Sequence, residues 1–316
     1  MIAIPHKAKQ FLLVLVKVLI VSLAFFYIYN RLQAEKEITI KQLVHFLNVP
    51  VIAILFLFSL TNWLLEILKW QNLVNSFKPI RFFEAAQQTF GSLTASIFTP
   101  NRIGEYGAKM FYFKKENAKR IVLLNFIHNS SQMLVTILFG IVGFLLLTFS
   151  SIETMSIRFK ADFISILLIL IGFAIIILIA IFFRKIEIYG FSFQKIITKI
   201  RQLNRKIVSK VFVLSTLRYL IFSTQFLFLL FTFDPNINLV VALETIFLMY
   251  FLSSIIPSIH LMDVAVKSSV AIYLFQTINM ESEKIISVTL LMWIFNLVFP
   301  VIIGSYFVLR YKPKPI

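Results

Sequence analysis

Six runs of apolar residues, each long enough to cross a bilayer as a single helix, restrict this chain more than any other feature. They fall at about 10–29, 49–70, 121–148, 162–183, 211–232 and 285–309, and a helix needs about 20 residues to traverse hydrocarbon. Lipid offers no partners for backbone N–H and C=O groups, so such runs must satisfy their own as helices. Composition agrees: 59% of the 316 residues are hydrophobic and 14% charged, against about 45–50% and about 25% in soluble domains. The expected fold class is therefore all-α, a polytopic membrane helix bundle forming one transmembrane domain over residues 1–316. The first run follows Lys7 and Lys9 and ends in Tyr-Ile-Tyr-Asn-Arg rather than in small residues, so it reads as an uncleaved span and not a signal peptide.

Two further apolar regions, 82–113 and 239–276, are interrupted near their middles. The first is broken by Thr99-Pro100-Asn101-Arg102-Ile103-Gly104-Glu105, the second by Pro257-Ser258-Ile259-His260-Leu261-Met262-Asp263. Proline removes a helical hydrogen bond and glycine weakens the helix, so Pro100, Gly104 and Pro257 mark structural breaks. Charge bias orients the regions. With a cytoplasmic N-terminus and both regions re-entrant, about twenty of the 31 Lys and Arg fall on the cytoplasmic side, as the positive-inside rule asks. Lys69, Lys78 and Arg81, Lys114 to Arg120, the cluster from Arg184 to Lys210, and Arg310 to Lys314 lie there, and the C-terminus is cytoplasmic too. The net charge of +17 is thus a membrane bias and not a nucleic-acid footprint, and the chain is expected in the cell inner membrane. Region 82–113 then enters from the cytoplasm and region 239–276 from the outer face, which makes an inverted repeat of two re-entrant hairpins. A tilted pair of full crossings in each region would leave the flanks on the same sides. Segment 184–210, basic with interspersed Phe and Ile, fits an amphipathic helix on the cytoplasmic surface or a solvated basic loop.

Five basic residues remain at membrane depth: Lys17, Arg102, Lys109, Arg218 and Lys267. Each would cost about 2.5–3.5 kcal/mol at a helix centre, so each should be paired or face an aqueous cavity. The acids expected at depth are Glu84, Glu105, Glu244 and Asp263. Glu105 with Lys109 and Asp263 with Lys267 stand four apart, on one helical face, just beyond each break. A motif recurring in two oppositely oriented halves points to a substrate site at the repeat interface. Arg102 beside a helix start makes an anion-binding position, because a guanidinium can donate two parallel hydrogen bonds to phosphate. The bland alternative is that both acid–lysine pairs only hold the hairpins open. Polar stripes at Asn125, Asn129, Gln132 and Thr136, at Ser215, Arg218 and Gln225, and at Thr289 and Asn296 face the interior, where hydrogen bonding between helices is the default role. His128, beside the first stripe, is either a proton relay or a packed, hydrogen-bonded side chain.

The segment Thr99-Pro100-Asn101-Arg102-Ile103-Gly104-Glu105 resembles the Thr-Pro-Gly-Arg-x-Gly-Glu loop of the lysylphosphatidylglycerol synthase transmembrane (flippase-like) family, and Pro257 to Ser269 resembles its second, acid-containing loop. The similarity spans nearly the whole chain in length and hydrophobic layout. It implies a lipid-accessible cavity between two re-entrant hairpins, as in the N-terminal flippase half of the multiple peptide resistance factor, and it points to Arg102, Glu105, Asp263 and Lys267. Asn101 stands where the family usually has Gly, Ala265 where many members have Gly, and Lys267 where Arg is common. No soluble aminoacyl-transfer domain is seen, so the resemblance implies a protein that moves a lipid and not an enzyme that makes one.

The function expected is translocation of a phosphate-containing lipid headgroup, with a phospholipid or polyprenyl-phosphate lipid as partner and Arg102, Glu105, Lys109, Asp263, Lys267 and Arg218 as substrate-binding residues. The alternatives are a secondary transporter of a small anionic solute, an enzyme acting on a lipid-linked substrate, and an accessory to a membrane or cytoplasmic partner enzyme. With no cysteine and only scattered carboxylates, no metal site and no cofactor is expected.

Overall fold

The computed structural model describes residues 47–99, 102–149, 193–256 and 263–311, together with positions 15, 18, 19, 22 and 26. The expected spans at 10–29 and 162–183, Lys17, and the breaks Pro100 and Pro257 lie outside those residues. The described residues are helical with short turns. In chain order the helices are α1 (Val49–Val74), α2 (Phe82–Ser96), α3 (Ile103–Met110), α4 (Ala118–Phe149), α5 (Phe193–Gln202), α6 (Arg205–Phe233), α7 (Leu239–Ile255), α8 (Asp263–Phe275), α9 (Ser282–Trp293) and α10 (Phe299–Arg310). A π-helical turn, Ile294–Val298, joins the last two into one rod. Four helices, α1, α4, α6 and the α9–α10 rod, are long and apolar enough to cross a membrane. These match four of the expected spans, and the chain is a multi-pass membrane protein.

Local chemistry sets the helix ends. Asn48 caps α1, its side chain accepting from Val51 N at 3.0 Å, with Pro50 in the first turn, where a missing N–H costs nothing. Asn238 caps α7 by accepting from Val240 N and Val241 N. Glu84, expected at membrane depth, instead sits in the first turn of α2 and accepts from the Arg81 backbone N–H at 2.9 Å. A carboxylate at that place satisfies orphan donors and meets the positive end of the helix dipole.

Two apolar cores flank the site. The first joins Trp63, Trp70 and Leu73 of α1 with Ala85, Phe90 and Leu93 of α2, Ile121 and Leu124 of α4, and Leu297 and Val301 of the rod. The second joins Tyr219, Phe226 and Leu229 of α6 with Ile246 and Met249 of α7, Leu274 and Phe275 of α8, and Val288 and Leu291 of α9. Each interrupted region folds as two helices packed on each other: α2 with α3, and α7 with α8. The first pair sits in the first core, with α2 against α10. The second sits in the other, with α7 against α4 and α8 against α9. Outward positions such as Phe56 and Leu57 of α1, Ile141 of α4 and Ile302 of α10 are exposed, as lipid-facing side chains are. Within the basic segment 184–210, α5 runs from Phe193 to Gln202, exposing Lys199 and Arg201 while Ile200 and the following Leu203 pack on the first core; residues 184–192 lie outside the described residues.

Candidate functional site

The π turn shows how a proline builds the floor of the site. Pro300 has no N–H for the carbonyl of Asn296 four residues back, and the Trp63 indole N–H donates to that oxygen from α1 at 3.2 Å. The carbonyl of Phe295 takes the hydroxyl of Ser59 at 2.5 Å. With the rod opened there, the Asn296 side chain accepts from Asn62 at 2.8 Å and donates to Gln225 of α6 at 2.9 Å. Three helices are thus pinned at one level by hydrogen-bonded side chains, and the polar stripes of α6 and the rod meet as their spacing predicts.

Above this floor lies a cavity of about 340 Å³. Arg102, Arg218, Asp263 and Lys267 are its charged lining, with Gln132, Asn62 and Asn296 among the polar walls and Trp63, Phe222 and Trp293 among the apolar ones. The elements that carry these groups come from both cores, so the cavity lies between the two interrupted regions. Its rim meets the outside of the bundle. Ser254 and Ile255 end α7 in exposed positions, Ile103 next to Arg102 is 64% exposed, and the Lys267 side chain is 38% exposed.

Behind the Arg102 wall the bundle holds a buried ionic cluster centred on Glu66 of α1. One carboxylate oxygen lies 2.8 Å from Lys69 Nζ and 3.4 Å from Arg218 Nη1; the other lies 3.1 Å from His128 Nε2 and 3.9 Å from Arg102 Nη1. Gln132 Oε1 accepts from both Lys69 and Arg218, at 3.4 and 3.3 Å. Glu105 pairs with Arg102 at 3.1 Å and with Lys109 at 2.7 Å. Lys109, wholly buried, also donates to Asn125 at 2.8 Å and lies 3.8 Å above the Trp70 ring, a cation–π contact in a desolvated place. Trp70 is held by donating to Gln88 at 2.8 Å, and its ring meets His128 edge-on.

Arg102 reaches this position through an uncommon backbone. Its φ of 59° and ψ of 25° are left-handed, a region that costs a non-glycine residue of order 1–3 kcal/mol. The turn aims its guanidinium back between Glu105 and Glu66 as α3 starts. Gly104 completes it: its N–H donates to Thr99 Oγ1 at 2.9 Å, and a Cβ there would strike the Thr99 side chain.

Residues 14–304 match the family described as Lysylphosphatidylglycerol synthase TM region. The chain belongs to that family. No curated protein matches it. In this member of the lysylphosphatidylglycerol synthase TM region family, four of the six residues singled out from the sequence, Arg102, Arg218, Asp263 and Lys267, line the cavity. Glu105 and Lys109 do not. They are buried behind Arg102 and can act on a cavity ligand only through it. The two acid–lysine pairs therefore differ: Asp263–Lys267, at 2.6 Å, is partly exposed at the rim, whereas Glu105–Lys109 is sealed. Two residues of the cluster escaped the sequence reading. Lys69 was counted with the cytoplasmic flank and not among the charges at depth, and it is 1% exposed beside Glu66. Glu66 was not singled out at all, although Ser59, Asn62, Glu66 and Lys69 recur at helical spacing on one face of an apolar run.

Proposed function

We propose that this family member is a lipid translocase, in which the phosphate of a phospholipid or polyprenyl-phosphate headgroup enters the cavity and is held by Arg102 and Arg218 while its tails stay in the bilayer. The observation that carries this reading is a pair of partly exposed guanidiniums facing a cavity of about 340 Å³. That volume suits a headgroup and has no room for acyl chains, while the rim carries lipid-facing Ile103 and Ile255. The two interrupted regions act as re-entrant hairpins of an inverted repeat, with both termini cytoplasmic and the chain in the inner membrane. The recurrence of an i,i+4 acid–lysine pair at the start of α3 and of α8 supports that repeat.

Arg102→Ala is expected to abolish headgroup translocation in proteoliposomes while the protein stays folded, since Glu105 keeps Lys109 and Glu66 keeps Lys69. Unchanged flipping by that variant would remove the proposed role. The orientation is tested separately. The chain has no cysteine, so Lys115→Cys and Glu281→Cys give single labelling sites, and an impermeant thiol reagent added to sealed vesicles should modify only one of the two. Labelling of both from one side would end the inverted-repeat reading.

A secondary transporter of a small anionic solute is the second reading, favoured by a cavity large enough to enclose such a solute whole. Uptake of a soluble anion without lipid scrambling would select it.

A further inference from the structure

Among the described residues, the charges around Glu66 do not balance. Lys69, Arg102, Lys109 and Arg218 are cations linked through only two carboxylates, Glu66 and Glu105, all within one run of contacts of 2.7 to 3.9 Å. Counting His128 as neutral, the described cluster carries two positive charges in excess. Asp263 and Lys267 across the cavity offset each other and leave the surplus in place. Glu244, also buried, belongs to α7, where its backbone carbonyl lies beside Gly143 of α4, about three helical turns along α4 from Gln132.

The surplus is not spread evenly. Lys109 is enclosed by Glu105, Asn125 and Trp70, and Lys69 by Glu66 and Gln132, both without solvent access. Arg102 and Arg218 reach the cavity, with side chains 19% and 13% exposed. Uncompensated charge is costly in a low-dielectric interior, and one ligand can answer it: an anion placed in the cavity against the two guanidiniums.

Building on the translocase reading, we propose that the cavity selects a headgroup bearing two negative charges on phosphate, a phosphate monoester or a diphosphate, over the singly charged phosphodiester or zwitterionic headgroup of ordinary phospholipids. A dianion cancels the whole excess, a diester half of it, and a zwitterion none. Two planar forks converging on one site also match the several acceptor oxygens that a terminal phosphate presents.

The test uses the full chain in detergent at pH 7, with dodecyl phosphate against its methyl diester, which has the same chain and one charge fewer. The monoester is mostly doubly ionised there, its second ionisation lying at about pH 6. It should bind roughly tenfold or more tightly than the methyl ester, the scale of one added charge-assisted hydrogen bond. Arg218→Gln should erase the preference and Arg218→Lys keep part of it, and Glu66 retains Lys69 and His128 in both variants. Binding of the two esters within about twofold of each other, or no binding of either, would overturn the selectivity. A third arm separates this from the underlying reading: inorganic phosphate binding as tightly as dodecyl phosphate would leave the dianion preference standing but turn the lipid translocase into a solute site.

Discussion

Glu66→Gln is expected to be the most damaging single substitution in the chain. The exchange keeps the shape of the side chain and removes only its charge. Lys69, at 2.8 Å, and Arg218, at 3.4 Å, would then lose the anion that both share. Breaking a buried pair by removing one partner costs about 3–5 kcal/mol, because the surviving charge stays buried. The excess of positive charge would also rise by one. Thermal unfolding in detergent, followed by tryptophan fluorescence with Trp63 and Trp70 beside the cluster, should show a large fall in Tm. The double variant Glu66→Gln/Lys69→Met should recover a substantial part of it, since it removes the nearest stranded cation, and residues in such contact are not additive. A single variant as stable as the parent would show that Glu66 does not hold the cluster together.

The second large effect is expected at Gly304. Helix α10 crosses α2 so closely that a Cβ on Gly304 would run into the carbonyl oxygen of Phe90 and the Thr94 hydroxyl. Thr94 donates to the Val301 carbonyl at 3.3 Å across the same interface. Small residues allow membrane helices this approach, and dispersion contacts with interhelical hydrogen bonds then hold them together. Gly304→Val forces the helices apart and loses the Thr94 bond, at a cost of about 1–3 kcal/mol or more for an overpacked site. Because α2 carries the first interrupted region, the displacement should also weaken anion binding at Arg102, although Gly304 does not line the cavity. A Tm and an affinity both equal to those of the parent would show that the contact has slack.

Legibility in the sequence followed the range of the interaction. Residues one to four apart were readable: the i,i+4 pairs Glu105–Lys109 and Asp263–Lys267 are both formed, and the stripe of Asn125, Gln132 and Thr136 faces inward. Lys69 was misplaced because position along a span is a poor guide to depth near its end; its side chain turns back toward Glu66, three residues earlier. Glu84 was misplaced for the opposite reason. A carboxylate inside an apolar stretch looks buried until the helix start is seen to lie beside it. The π turn was not legible either, since Pro300 signals a disturbance but not which neighbour takes the freed carbonyl; the geometry assigns it to Trp63.

By itself the sequence determined that the chain is a membrane helix bundle interrupted by charged breaks, because long apolar runs have one low-energy solution in hydrocarbon and ionised groups at depth must find company. Only the tertiary structure decided which company. Glu66, Arg102, His128 and Arg218 come from four helices or their caps, and the rotation of each about its axis is set by apolar packing on the other faces. That packing turned two acids toward four cations, and so fixed the sign and size of the charge facing the cavity.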